Sequence, residues 1–308
     1  MKNTIQGSTL IIIAALLWAF DGIIRRYLFT LPAETIIFYE HLIGTIILLP
    51  FAWRYLWQKK LSSKEWGLLF VVSLLSGLLG TLWFTKALFQ VNFISFSVVF
   101  LLQKLQPIFA ITSARIFLKE PLHKNYIIWA LLAIAAAYFV TFPGGAVNLA
   151  TGAGTITAAL FALGAAFAWG TSTTFSKILL KERSHTEVTA LRFMLTTVIA
   201  FLFVVLFGTG FASLSAPTVN QFGLFAVIAL STGMVALAIY YKGLKLTPVR
   251  VSTILELTFP LVAIIIDAVQ YHSFLSITQW VAAAVLMYSM YRISKLSHAS
   301  ELQLHNTQ

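Results

Sequence analysis

Long apolar runs separated by short polar segments set the pattern of the chain. A stretch of about 20 mainly apolar residues is enough to span a bilayer core. Ten such stretches can be counted: residues 8–27, 35–56, 66–88, 92–117, 124–142, 153–179, 187–208, 219–241, 249–270 and 275–293. Only Leu118-Lys119-Glu120-Pro121-Leu122 separates the fourth from the fifth. The pattern predicts an all-α polytopic membrane protein with ten transmembrane helices. From Ser297 to Gln308 the chain turns polar and is expected to form a mobile cytoplasmic tail.

Composition supports the membrane reading. Of 308 residues, 59% are hydrophobic and 10% charged, with a mean hydropathy of +0.88. Soluble domains carry about 25% charged residues. The formal charge of +11 does not imply a nucleic-acid partner, because the basic residues sit in short segments between apolar runs. With ten spans, both termini share one side. That side holds sixteen of the twenty-one Lys and Arg residues; the other holds Arg25, Arg26 and Lys86, and Lys104 and Arg192 fall within spans. Basic residues collect on the cytoplasmic side of a membrane, so both termini are expected there, in a bacterial inner membrane. No cysteine is present, which excludes disulfides and thiolate metal sites. Lys2 and the apolar run after it look like a signal peptide. Arg25 and Arg26 follow in place of a small-residue cleavage site, so this segment is expected to remain as the first helix.

The chain repeats itself. Ala14-Ala15-Leu16-Leu17-Trp18-Ala19 resembles Ala165-Ala166-Phe167-Ala168-Trp169-Gly170, and each is followed by a basic residue, Arg26 or Lys177. Pro107 and Pro260 lie 153 residues apart. Helices one to five therefore map onto six to ten. Five is odd, so the second copy crosses the membrane upside down. Inverted repeats of this kind mark transporters with a midplane site between the copies. The expected division is 1–147 for the first repeat, 148–296 for the second, and 297–308 for the tail.

These features resemble the drug/metabolite transporter superfamily, in particular its tandem EamA-type members. Trp18 with Arg26, Trp169-Gly170 with Lys177, and a proline late in the fourth helix of each repeat carry the resemblance. Tyr241-Lys242-Gly243-Leu244 is similar to a Tyr-x-Ala-Leu stretch of the family, and Lys86-Ala87-Leu88 echoes it in the first copy. Phe117-Leu118-Lys119-Glu120-Pro121-Leu122 resembles its Leu-Gly-Glu-x-Leu turn, with Lys119 in place of glycine. The second copy reads Val269-Gln270-Tyr271-His272-Ser273 at the matching place. The resemblance implies alternating-access movement of a small metabolite, often an amino acid, and often outward.

Polar residues inside apolar spans are the candidate site. A charge at a helix centre costs about 2.5–3.5 kcal/mol on insertion scales and marks function by default. Proline removes the N–H that would bond the carbonyl four residues back. Pro107 and Pro260 are therefore expected to kink their helices and to bare the carbonyls of Gln103 and Glu256. Lys104 and Glu256 either cradle a zwitterion or pair with each other. Gln103 and Gln106 share a helix face and either bind solute or bridge helices. Trp18, Tyr39 and Trp169 lie deep enough to wall a pocket, or they pack in the core. Asp21, Glu40, His41 and Arg192 are candidates for gating or proton coupling. Against that stand an Asp21–Arg25 pair, a Glu40 pair with Lys86 or Arg25, and a structural role for Arg192.

The expected function is a secondary-active or facilitative transporter, with a small-molecule substrate, the lipid bilayer as surroundings, and a monomer or homodimer as its state. An amino acid or similar amphoteric compound is the first expectation for the solute and export the expected direction. A different organic solute, or a membrane sensor without flux, stands as the alternative. The chain has no ATP-binding loop, no His-Glu-x-x-His and no Gly-x-Ser-x-Gly, so neither an ATP-driven pump nor an intramembrane enzyme is expected, and no metal or cofactor.

Overall fold

The computed structural model describes residues 2–58, 60–90, 96–103, 105–119, 125–141, 153–215, 217–256, 258–270, 272 and 274–305. These residues form helices and connecting turns, with no strand among them. In the first half, α1 is Lys2–Ala19, α2 Asp21–Arg26, α3 Ala33–Gln58, α4 Ser63–Val72, α5 Thr81–Gln90, α6 Phe96–Gln103, α7 Gln106–Phe117 and α8 Tyr126–Thr141. In the second, α9 is Ala153–Glu182, α10 His185–Phe207, α11 Val219–Leu230, α12 Met234–Leu246, α13 Val249–Leu255, α14 Thr258–Gln270 and α15 Ile277–His305. The last helix thus runs on through the segment expected as a tail, as far as His305. A π-helical segment, Ser73–Gly80, joins α4 to α5.

Six helical stretches among the described residues are long and apolar enough to cross a membrane: Gln6–Arg26, Ala33–Phe51, Ser63–Gln90, Ile156–Glu182, His185–Phe207 and Val219–Leu246. In the fourth and ninth apolar runs the described residues form two helices each. One is divided into α6 and α7, the other into α13 and α14.

The breaks correct one expectation. The Glu256 carbonyl is not bare: it accepts the Phe259 N–H at 3.0 Å. Leu105 N–H likewise bonds Leu102 O at 3.0 Å, and Ile108 N–H bonds Leu105 O at 2.9 Å. Each helix tightens to i→i+3 bonding before its proline, a common way to satisfy groups that the four-residue ladder leaves over. Pro107 then sits in the first turn of α7, where its missing N–H costs nothing.

The packing of the helices has an exchange pattern. α1 lies against α12 and α14, while α9 lies against α5 and α7. α3 packs on α10, and α8 on α15. Apolar side chains such as Ile46, Ile127, Ile128, Leu131, Val198 and Leu206 point outward, whereas Arg25, Glu40, His41, Arg192 and Glu256 are buried. This inside-out arrangement suits a hydrocarbon surrounding, not water.

Two related capping devices tie the first half of the chain to the second. Ser62 and Glu65 form a capping box on α4, and Thr218 and Gln221 form one on α11. From the first, Glu65 takes two bonds from Arg183 at 2.6 and 3.0 Å. From the second, Gln221 donates to Thr30 Oγ1 at 2.8 Å. The first latch is ionic, and Arg183 also meets Glu187 at 2.7 Å. The second is neutral.

Only two non-glycine residues among those described have positive φ, Lys119 at 56° and His272 at 50°. They lie 153 residues apart, the spacing of the two prolines. Lys119 stands where the resembled family has glycine.

Candidate functional site

An internal cavity opens where the helix breaks meet. It holds about 920 Å³ of empty space when its open mouth is included, of which about 140 Å³ is roomy enough for the centre of a water molecule. Each wall follows from a local feature of the chain.

The first wall comes from the break between α1 and α2. Ile23 N–H bonds Phe20 O at 3.1 Å, so the chain turns at Phe20 and delivers Trp18, Asp21 and Arg25 to the cavity. Arg25 Nε meets Asp21 Oδ2 at 2.8 Å, the expected i, i+4 pair. Arg25 Nη2 meets Glu40 Oε2 at 3.0 Å, so of the two partners expected for Glu40 it takes Arg25. Thr232, from the break between α11 and α12, donates to Asp21 Oδ1 at 2.6 Å. His41 lines the same side, its Nδ1 2.9 Å from the carbonyl of Ile37.

The second wall is one face of α9. Trp169, Ser172, Thr173 and Ser176 follow i, i+3, i+4, i+7 spacing and all reach the cavity. Trp169 Nε1 donates to the carbonyl of Ser76 in the π-helical segment at 3.0 Å. Gly80 permits this: a Cβ there would lie 2.5 Å from Trp169 Nε1. Gly170 brings α9 equally close to α7, since its Cβ would lie 2.5 Å from Gln106 O.

The third wall joins α10 to α12. Arg192 Nη2 donates to Ser76 Oγ at 2.7 Å, and its Nη1 to Tyr241 OH at 3.1 Å. Tyr241 OH also lies 3.0 Å from Ser176 Oγ. Arg192 Nε has no hydrogen-bond partner among the described residues.

The fourth wall is where the two proline breaks touch. Gln106 Nε2 donates to Glu256 Oε2 at 3.1 Å, and Tyr240 OH to Glu256 Oε1 at 2.8 Å. Gln103 Nε2 donates to Gln106 Oε1 at 2.9 Å. The Tyr240 ring lies 5.1 Å from that of Trp18.

Of the residues expected at a site, Trp18, Asp21, Glu40, His41, Gln103, Gln106, Trp169, Arg192 and Glu256 meet at this cavity. Tyr39 does not. It turns away from the cavity, donates its hydroxyl to Leu214 O and stacks on Phe225 at 5.4 Å. It precedes Glu40 by one position and His41 by two on a helix, where each step turns about 100°, so it points elsewhere. Lys104 lies outside the described residues, as does the side chain of Pro260. Tyr240, Tyr241, Ser76 and the α9 hydroxyls escaped the sequence reading. The Tyr241 motif and the Ser-Gly pair within the third run were the available signals.

A helical membrane protein with an internal cavity lined by buried polar and aromatic side chains, where its helices break, has the architecture of a membrane carrier. The chain belongs to the EamA-like transporter family, which matches residues 5–142 and again 156–295. It is therefore a transporter and not an enzyme. It is 38% identical over 300 residues to a protein named riboflavin transporter ImpX from Fusobacterium nucleatum subsp. nucleatum, covering 96% of this chain and 100% of that one. A solved crystal structure at 15% identity matches with a TM-score of 0.67, over 96% of this chain and 98% of the other, and shows the shared fold alone.

Proposed function

We propose that this protein carries a flavin, riboflavin in the first instance, across the membrane by alternating access, with the solute held in the central cavity. The observation that carries this reading is the end-to-end 38% identity with a protein named a riboflavin transporter. The cavity chemistry supports it. Riboflavin is uncharged at neutral pH, with a flat heteroaromatic ring, an imide edge and a hydroxylated chain. Trp18, Phe84, Trp169 and Tyr240 offer aromatic faces. Gln103 and Gln106 offer amides, and Ser172, Thr173 and Ser176 hydroxyls. Arg25 is already held by two carboxylates, so this cation asks no charge of the solute.

An amphoteric amino acid is the second reading. Arg192 Nε, buried without a partner among the described residues, is a donor suited to a carboxylate. No ATP-binding loop is present in the chain, so solute or ion gradients drive the flow. Net export, which the family resemblance implies, requires more free flavin inside; a cell that consumes flavin runs the same cycle inward.

The reading includes ten membrane-spanning helices in two inverted repeats, residues 1–147 and 148–296, and a tail from 297 to 308. The exchange pattern of helix packing supports it, as do the two left-handed residues 153 apart. The placement of the Lys and Arg residues supports cytoplasmic termini in a bacterial inner membrane.

Titration of riboflavin with the purified protein in detergent tests the substrate, because stacking on tryptophan quenches flavin fluorescence. Saturable quenching that an amino-acid panel does not reverse supports a flavin carrier. Absence of flavin quenching, with saturable binding of an amino acid seen by calorimetry on the same folded protein, would overturn it in favour of the second reading.

A further inference from the structure

The polarity of the amide chain at the proline breaks is set from one end. Both oxygens of the Glu256 carboxylate only accept hydrogen bonds. Tyr240 OH donates to one at 2.8 Å and Gln106 Nε2 to the other at 3.1 Å. With its NH₂ turned to the carboxylate, Gln106 has only Oε1 to show Gln103. Gln103 answers with its own NH₂, at 2.9 Å. Its carbonyl oxygen Oε1 is then left at the far end of the chain. That atom is buried, on a residue 3% exposed, and has no hydrogen-bond partner among the described residues. Gln103 lines the cavity.

A buried acceptor without a donor is costly, and native structures rarely leave one. This one becomes satisfied when the solute brings a hydrogen. The hydroxyls of a ribityl chain donate and accept equally well and need no fixed polarity. The imide N–H of the isoalloxazine ring only donates. It lies between two carbonyls, so an acceptor placed opposite it selects one orientation of the ring.

We propose that Gln103 is a specificity-determining residue that reads the imide N–H of a flavin through its carbonyl oxygen, with Glu256 holding that oxygen in place through Gln106. The inference rests on the flavin reading above. It assigns Glu256 a positioning role, because Glu256 acts on the imide through two amides. It also explains why both breaks carry polar side chains: one supplies the reader and the other sets its polarity.

The test compares riboflavin with N3-methylriboflavin, which has a methyl group in place of the imide hydrogen, by fluorescence titration of the full-length protein in detergent. The native protein should bind the methylated analogue about tenfold or more weakly, the consequence of a buried acceptor left unmatched. In Gln103→Ala the two ligands should bind within about twofold of each other, since neither acceptor nor crowding remains. In Glu256→Gln, whose amide can face Gln106 with either end, riboflavin should still bind and the discrimination should shrink. Equal binding of the two ligands by the native protein would overturn the proposal without any variant, and would leave the flavin reading standing. Full discrimination retained in Gln103→Ala would overturn it too, by moving the selection elsewhere. Full discrimination in Glu256→Gln would overturn the positioning role. Absence of riboflavin binding to the native protein would remove the flavin reading and this inference together.

Discussion

Arg25 Nη2 lies 3.0 Å from Glu40 Oε2, so a guanidinium carried by the short helix after the Phe20 break is anchored to α3. The same guanidinium holds Asp21, and Asp21 is held in turn by Thr232 from the second half of the chain. Three elements depend on one cation. Arg25→Leu leaves two buried carboxylates without it, and removing one partner of a buried pair costs about 3–5 kcal/mol. The thermal midpoint in detergent should fall sharply. Glu40→Gln keeps an acceptor beside Arg25 and leaves Asp21 paired, so it should stay close to the native midpoint. Equal midpoints for the two variants would contradict the anchoring role.

Gly80 matters for space. Adding a Cβ puts a methyl group 2.5 Å from Trp169 Nε1, inside normal contact. Gly80→Ala should therefore displace the Trp169 ring and break its bond to Ser76 O. On a flavin carrier the expected result is weaker quenching of bound riboflavin and about tenfold weaker binding in a protein that still folds, the loss of an aromatic face being worth about 0.5–1.5 kcal/mol beyond area. Unchanged affinity and quenching would show that Trp169 does not touch the solute.

Lys119 and His272 adopt left-handed backbone conformations at φ 56° and 50°. Such a conformation costs a residue with a Cβ about 1–2 kcal/mol and costs glycine almost nothing. Part of that gain is offset by the greater freedom of glycine in the unfolded chain. Each of Lys119→Gly and His272→Gly should raise stability by up to about 1 kcal/mol, read as a higher thermal midpoint. A fall in both would mean that the side chains contribute more than the backbone conformation costs.

The two links between the halves should differ in strength. Arg183 is buried and bonds Glu65 twice, Glu187 once and Lys60 O at 3.1 Å. Its hydrogen bond with Glu65 raises its pKa above the ordinary arginine value, so it stays charged in any working buffer. Gln221 offers Thr30 one neutral bond, worth about 1 kcal/mol. Arg183→Leu should lower the thermal midpoint several-fold more than Gln221→Ala. Similar losses would mean that the ionic latch adds nothing over the neutral one.

Much of this site was legible in the sequence, for one physical reason. Polar residues in an apolar run must find partners, so Asp21, Arg25, Glu40, Gln103, Gln106, Arg192 and Glu256 drew attention by being there at all. The Asp21–Arg25 pair followed from i, i+4 spacing. What the sequence withheld was direction and partner. Tyr39 looked as well placed as Glu40, yet one residue of helical rotation sent it into a stack with Phe225. The carbonyl of Glu256 was expected bare because the four-residue ladder was assumed to continue up to the proline. The i→i+3 closure at the break satisfied it. Ser76 and Tyr240 drew no attention, since hydroxyls within apolar helices are common and only packing reveals what they face. The polarity of the two glutamines became readable once Glu256 was seen to accept from both Tyr240 and Gln106.

A flavin carrier must move riboflavin through this cavity. The most direct measurement is counterflow of labelled riboflavin into vesicles that contain the purified protein and trapped unlabelled riboflavin, with protein-free vesicles and Gln106→Leu as controls. Label should accumulate transiently with the native protein, not without protein, and at a strongly reduced rate with Gln106→Leu. Label uptake no faster than in protein-free vesicles, with native protein shown to be folded and inserted, would contradict the flavin reading.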